Sequence, residues 1–124
     1  MKCLCVDDSA TMRRIVVNAL KSIGISDVLE AGDGKEALAK CDGSVELVIT
    51  DWNMPTMGGL ELTKALRANP ATAKVPILMV TTRSVKEDIL QAVEAGVNSY
   101  ILKPFTPQVL KEKIDQISSA PSGA

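Results

Sequence analysis

Five short apolar runs, each followed by a stretch with helical spacing, constrain the fold of this 124-residue chain more than any single residue does. Leu47-Val48-Ile49-Thr50, Pro76-Ile77-Leu78-Met79-Val80 and Tyr100-Ile101-Leu102 show no polar alternation, so as strands they must be covered on both faces. Leu4-Cys5-Val6 opens the series, and Val28-Leu29 is a shorter second member. Between the first two runs, Met12, Ile15, Val16, Ala19, Leu20 and Ile23 follow the spacing of one helix face, closed by Gly24.

The same alternation continues to the end. Strands are predicted over 2–6, around 28–29, and over 45–50, 76–81 and 99–102. Ala37, Leu38 and Cys41 give the apolar side of a second helix, and Leu62, Ala65 and Leu66 a third, with Gly58-Gly59 as the turn before it. Val85, Ile89, Ala92 and Val93 mark a fourth, ended by Gly96. The last has Thr106 as cap, Pro107 at its first position, and Val109, Leu110, Ile114 and Ile117 inward. Five such units predict an α/β fold, a doubly wound five-stranded parallel sheet flanked by five helices with right-handed crossovers. One domain over 1–117 is expected, with 118–124 as a flexible tail.

Composition removes several functions. A net charge of −1 with scattered lysines and arginines gives no nucleic-acid surface. No apolar run approaches the roughly 20 residues of a membrane span, and the amino end goes directly into a strand, so a cytoplasmic protein without a leader is expected. Cys3, Cys5 and Cys41 read as small core residues, since Cys3 and Cys5 lie two apart on one strand face and a zinc site would need a fourth ligand. The chain has no histidine. Any phosphohistidine chemistry therefore needs a partner to carry it.

What remains is at the strand ends. The first run ends in Asp7-Asp8, the third in Asp51, the fourth in Thr81-Thr82 and the fifth in Lys103-Pro104. Open α/β sheets place their chemistry at the carboxyl ends of strands. Two unit charges at ~4 Å repel by ~4 kcal/mol at an effective dielectric of 20. If the first and third strands are neighbours, three crowded carboxylates need a cation or bound protons, and an all-oxygen ligand set favours Mg²⁺. Lys103 would be a point charge for a phosphoryl oxygen and Thr81 a neutral donor.

Asp7-Asp8, Asp51-Trp52-Asn53-Met54-Pro55, Thr81 and Lys103-Pro104-Phe105 together resemble the signature of two-component response-regulator receiver domains, over residues 2 to about 117. Ser9 to Ile15 and Tyr100 are similar to the chemotaxis branch of that family. The resemblance implies a strand order of 2-1-3-4-5. It also implies that Asp51 accepts a phosphoryl group, and that Asp7, Asp8, Asp51 and the backbone carbonyl of Asn53 hold Mg²⁺. Lys103 and Thr81 would bind the phosphoryl oxygens, and Lys103-Pro104 would be cis. Such a chain is a phosphoacceptor that assists its own phosphorylation and dephosphorylation, not a turnover enzyme. Its implied partners are a sensor histidine kinase (CheA-like), a flagellar motor switch protein (FliM-like) and, in some systems, a phosphatase; the receiver itself is expected to be a monomer. Tyr100, Lys86, Ile89 and Phe105, with the Lys111–Lys113 region, would belong to the switch and output face.

One position departs from the pattern. Arg83, two residues after Thr81, stands where the familiar regulators carry a glutamate; with Asn53 it would border the path of the hydrolytic water and tune the phosphate lifetime. Two rivals share the architecture. A phosphatase using a strand-end aspartate would need a second acid at Asn53, and a flavin-phosphate module would be repelled by Asp7-Asp8. A stand-alone receiver acting as a phosphorelay intermediate or phosphate sink keeps the same chemistry with a different output.

Overall fold

In the computed structural model, residues 1–82 and 84–118 are described. The strands are β1 (Lys2–Val6), β2 (Asp27–Ala31), β3 (Leu47–Thr50), β4 (Ile77–Thr81) and β5 (Ser99–Leu102). The helices are α1 (Ala10–Ser22), α2 (Gly34–Lys40), α3 (Gly59–Ala68), α4 (Lys86–Ala95) and α5 (Pro107–Ser118). All four strand pairings are parallel, in the order β2-β1-β3-β4-β5, so the doubly wound sheet and its implied order both hold.

Alternation along the strands divides the core into two layers. Leu4, Val6, Val48, Ile77 and Met79 face Ala37, Leu62, Leu66 and Ala92 of α2, α3 and α4. Cys3, Cys5, Leu47, Ile49, Leu78 and Val80 face Val16, Leu20, Leu110 and Ile114 of α1 and α5. Burial pushes the Cys3 and Cys5 thiols up from an ordinary 9.0 to about 12. The folded chain thus holds these protons more tightly than the unfolded one. This contribution to stability is whole below pH 9.0 and is lost as pH rises toward about 12. Both thiols should stay silent to a thiol reagent at pH 8 until urea unfolds the chain; rapid labelling of the native protein would contradict this burial.

Some boundaries and faces differ from expectation. β2 runs for five residues instead of two, because an edge strand can carry the exposed Asp27 and Glu30 without an apolar run. β3 begins at Leu47, since Val45 N–H turns back to Asp42 O (3.2 Å). β4 begins at Ile77, after Pro76. Cys41 is not in α2 but is its C-cap, with extended backbone. Val85 is the N-cap of α4, and Val85, Val93 and Val109 are exposed, as is Ile15 on α1. Each of these helices buries only a narrow stripe on the sheet, and these apolar residues lie outside it. Gly24 and Gly96 have the positive φ (94° and 116°) that stops α1 and α4 as expected. The expected tail falls outside the described residues beyond Ser118.

Candidate functional site

The order β2-β1-β3 reverses the direction of winding between β1 and β3, opening a crevice beyond their carboxyl ends. Register puts Val6 opposite Thr50, so Asp7 and Asp51 leave the sheet side by side. Asp51 N–H donates to Val6 O (3.1 Å) and Asp7 N–H to Ala31 O (3.1 Å), which holds both acids on the last rung of the ladder. Thr81 pairs with Leu102 across β4 and β5, and Lys103 N–H donates to Thr81 O (2.9 Å). Lys103-Pro104 is cis.

Lys103 Nζ lies 3.2 Å from Asp7 Oδ2 and 3.2 Å from Asp51 Oδ2. The other oxygens are also engaged: Ser9 N–H donates to Asp7 Oδ1 (2.9 Å), and Trp52 N–H to Asp51 Oδ1 (2.7 Å). Asp8 is exposed at the rim. Asp7, Asp8 and Asp51 each offer a carboxylate oxygen within 4.8 Å of the others. Lys103 offsets one of these formal negative charges, and a divalent cation would balance the other two. The donor set is all oxygen, which fits a hard ion such as Mg²⁺.

Asp51 is 16% exposed. The loop that follows it, Trp52 to Thr56, lines an open cleft of about 760 Å³ together with Asp8, Gly58 and Glu61. Asn53 is exposed on this lip and Thr81 is buried at the end of β4. The loop is pinched at Thr56, whose φ of 69° goes with a tight turn from Met57 N–H to Pro55 O (2.6 Å). Trp52 and Tyr100 both pack on the core layer under α2 and α3. Phe105 lines an apolar hollow with Met12, Ile15, Thr82, Lys103 and Pro104. Lys86 and Ile89 lie on the first turn of α4, exposed and half-buried, outside the acid cluster. Arg83 lies outside the described residues.

Sequence reasoning missed two residues. Gly59 starts α3 directly against the end of β3: a Cβ there would stand 2.0 Å from Asp51 O. Arg13 donates from Nη1 to Asp7 O (2.6 Å). The glycine pair reads as an ordinary turn, and an arginine on a helix reads as a solvated charge, so neither carried a distinguishing signal.

The response regulator receiver domain family matches residues 3–115, and this chain belongs to that family. Within it, the chain is similar to chemotaxis proteins of the CheY type. It is 53% identical to the chemotaxis protein CheY1 of Helicobacter pylori strain J99, over 94% of this chain and 96% of that protein. It is 54% identical to the CheY homolog of Campylobacter jejuni strain 81-176, over 99% and 96%. Among solved structures, chemotaxis protein CheY4 of Vibrio cholerae superposes with a TM-score of 0.85 at 36% identity, covering 94% of this chain and 97% of that one. No described helix is long and apolar enough to cross a membrane.

Proposed function

We propose that the chain is a chemotaxis response regulator that takes a phosphoryl group on Asp51 from a CheA-like sensor histidine kinase, in a Mg²⁺-dependent reaction. The observation that carries this reading is the Asp51 carboxylate at the end of β3, paired with Lys103 and flanked by two further acids. In the transfer, an Asp51 carboxylate oxygen bonds to phosphorus as the phosphorus–nitrogen bond of the donor breaks. The donor's imidazole leaves with that electron pair and takes up a proton. Such a displacement needs positioning and neutralised equatorial charge more than covalent assistance. Lys103 supplies an ammonium to the incoming oxygens and Thr81 a hydroxyl, while Trp52 N–H orients the nucleophile. Asp7, Asp8, Asp51 and the carbonyl of Asn53 would hold Mg²⁺, which when bound supplies further neutralisation of the phosphoryl charge.

The chain assists its own phosphorylation and dephosphorylation without turning over a substrate, and Asn53 and Arg83 set the phosphate lifetime. The output is a change of affinity for a FliM-like motor switch protein, through Tyr100, Lys86, Ile89 and Phe105. New contacts to the phosphoryl group bias a two-state element, with Thr81 drawn inward and Tyr100 following.

Fluorescence of the sole tryptophan, Trp52, tests the chemistry because its amide is bonded to the acceptor carboxylate. Mg²⁺ with beryllofluoride should change the emission of the wild type and leave Asp51→Asn unchanged, and acetyl phosphate should label only the wild type. A response or a label that survives in Asp51→Asn would remove Asp51 as the acceptor. Binding of a motor-switch peptide that is indifferent to phosphorylation would remove the proposed output.

A further inference from the structure

Where the β1 ladder ends, one backbone acceptor needs a partner. Asp7 N–H is the last rung toward β2, and the chain then turns into α1, so Asp7 C=O cannot continue the ladder. Arg13, on the first turn of α1, fills this gap with Nη1 at 2.6 Å from Asp7 O. Its Nε reaches Glu30 Oε1 on β2 at 3.2 Å, so the guanidinium forks between the active loop and the neighbouring strand. Glu30 is itself tethered, because Lys40 Nζ bonds its backbone carbonyl (2.6 Å) and pairs with Glu36 (2.9 Å).

We propose that Arg13 is a positioning residue of the phosphoacceptor site, fixing the peptide plane between Asp7 and Asp8 and so holding Asp8 where it can share a cation with Asp7 and Asp51. The carbonyl of Asp7 and the amide of Asp8 belong to one planar unit. Pinning its oxygen with a charge-assisted hydrogen bond therefore fixes the direction in which Asp8 leaves the chain. Asp7 needs the help less, because its carboxylate is already held by Ser9 N–H and Lys103. Asp8, exposed at the rim, depends on the backbone that carries it. The ion pair to Glu30 is a secondary attachment: Glu30 is half exposed, and a pair of that kind contributes little by itself. A lysine could reach one partner but not fork between both.

This inference rests on the proposed Mg²⁺ function, and the experiment separates the two. Mg²⁺ affinity is titrated by Trp52 fluorescence in wild type, Arg13→Gln, Arg13→Lys and Glu30→Gln, and amide exchange is followed without metal. Arg13→Gln should weaken Mg²⁺ about tenfold, equivalent to about 1.4 kcal/mol. Arg13→Lys should fall between it and wild type, and Glu30→Gln should stay within about twofold of wild type. In metal-free Arg13→Gln and Arg13→Lys, the Ser9 amide should exchange several-fold faster while Val48 and Ile49 keep their protection. The lysine variant decides the matter if the glutamine variant does not fold. Unchanged Mg²⁺ affinity and Ser9 exchange in the Arg13 variants would overturn the positioning role, as would an equal loss in Glu30→Gln. Absence of any Mg²⁺ response in the wild type would instead overturn the functional reading, and this inference with it.

Discussion

Gly59→Ala is expected to lower stability by roughly 2–4 kcal/mol, beyond the usual cost of overpacking, and to slow phosphorylation by acetyl phosphate at least about tenfold. Helix propensity alone points the other way, since alanine is favoured over glycine in a helix by about 1 kcal/mol. Contact decides the sign. The added methyl carbon would stand 2.0 Å from Asp51 O, 3.0 Å from its carbonyl carbon and 3.1 Å from Met79 Cε. Two of those atoms are backbone at the end of β3 and cannot swing aside. The Asp51 carbonyl also accepts the Thr50 hydroxyl (2.9 Å), and its peptide carries the Trp52 N–H that holds Asp51 Oδ1. Relief of the clash therefore turns the peptide that aims the Asp51 carboxylate, which would link stability to the proposed chemistry. Gly43→Ala is the control, with its Cβ 3.8 Å from Ala71 O in ordinary contact. Urea midpoints that fall equally for the two variants would refute this account.

The periodic parts of the fold were readable because burial on both faces leaves an unbroken apolar run, as in β3 and β4. β2 was legible only at Val28 and Leu29, since an edge strand needs no such run and its Glu30 is exposed. The face of α4 was misread for a related reason. Its valines have helical spacing, but the sheet covers only Ala92, so periodicity located the helix without locating its contacts. Asp7, Asp8, Asp51 and Lys103 could be grouped from sequence because each follows a strand, and parallel strands bring their ends to one edge. That Lys103 contacts Asp7 and Asp51 equally, 96 and 52 residues away, is a product of register and side-chain reach. Arg13 and Gly59 act through backbone atoms of other residues, and residue type says nothing about which carbonyl lies nearby.

Lys103→Met is expected to destabilise the metal-free protein by on the order of 3–5 kcal/mol, the usual consequence of stranding the partners of a buried ion pair. The Lys103 side chain is 12% exposed and its ammonium contacts the carboxylates of Asp7 and Asp51, side chains that are 5% and 16% exposed. Methionine keeps an unbranched stem of similar length, so the loss is of charge more than of packing. Asp7 and Asp51 then lose the ammonium that each of them contacts. Two consequences separate this cause from a general loosening. Mg²⁺ should recover more stability in Lys103→Met than in wild type, because the cation takes over neutralisation that the lysine had supplied. In a double-mutant cycle, Lys103→Met should be markedly less costly when Asp51 is already asparagine, with a coupling of about 1–3 kcal/mol for groups in direct contact. Phosphorylation should fall by about 10²–10³, the range for removing one donor that meets developing charge. Lys103→Arg should not restore it, since a planar fork cannot replace a point charge seated between two carboxylates. Additive stabilities in the cycle would show that Lys103 and Asp51 do not interact, and the charge balance at the centre of this site would then have to be redrawn.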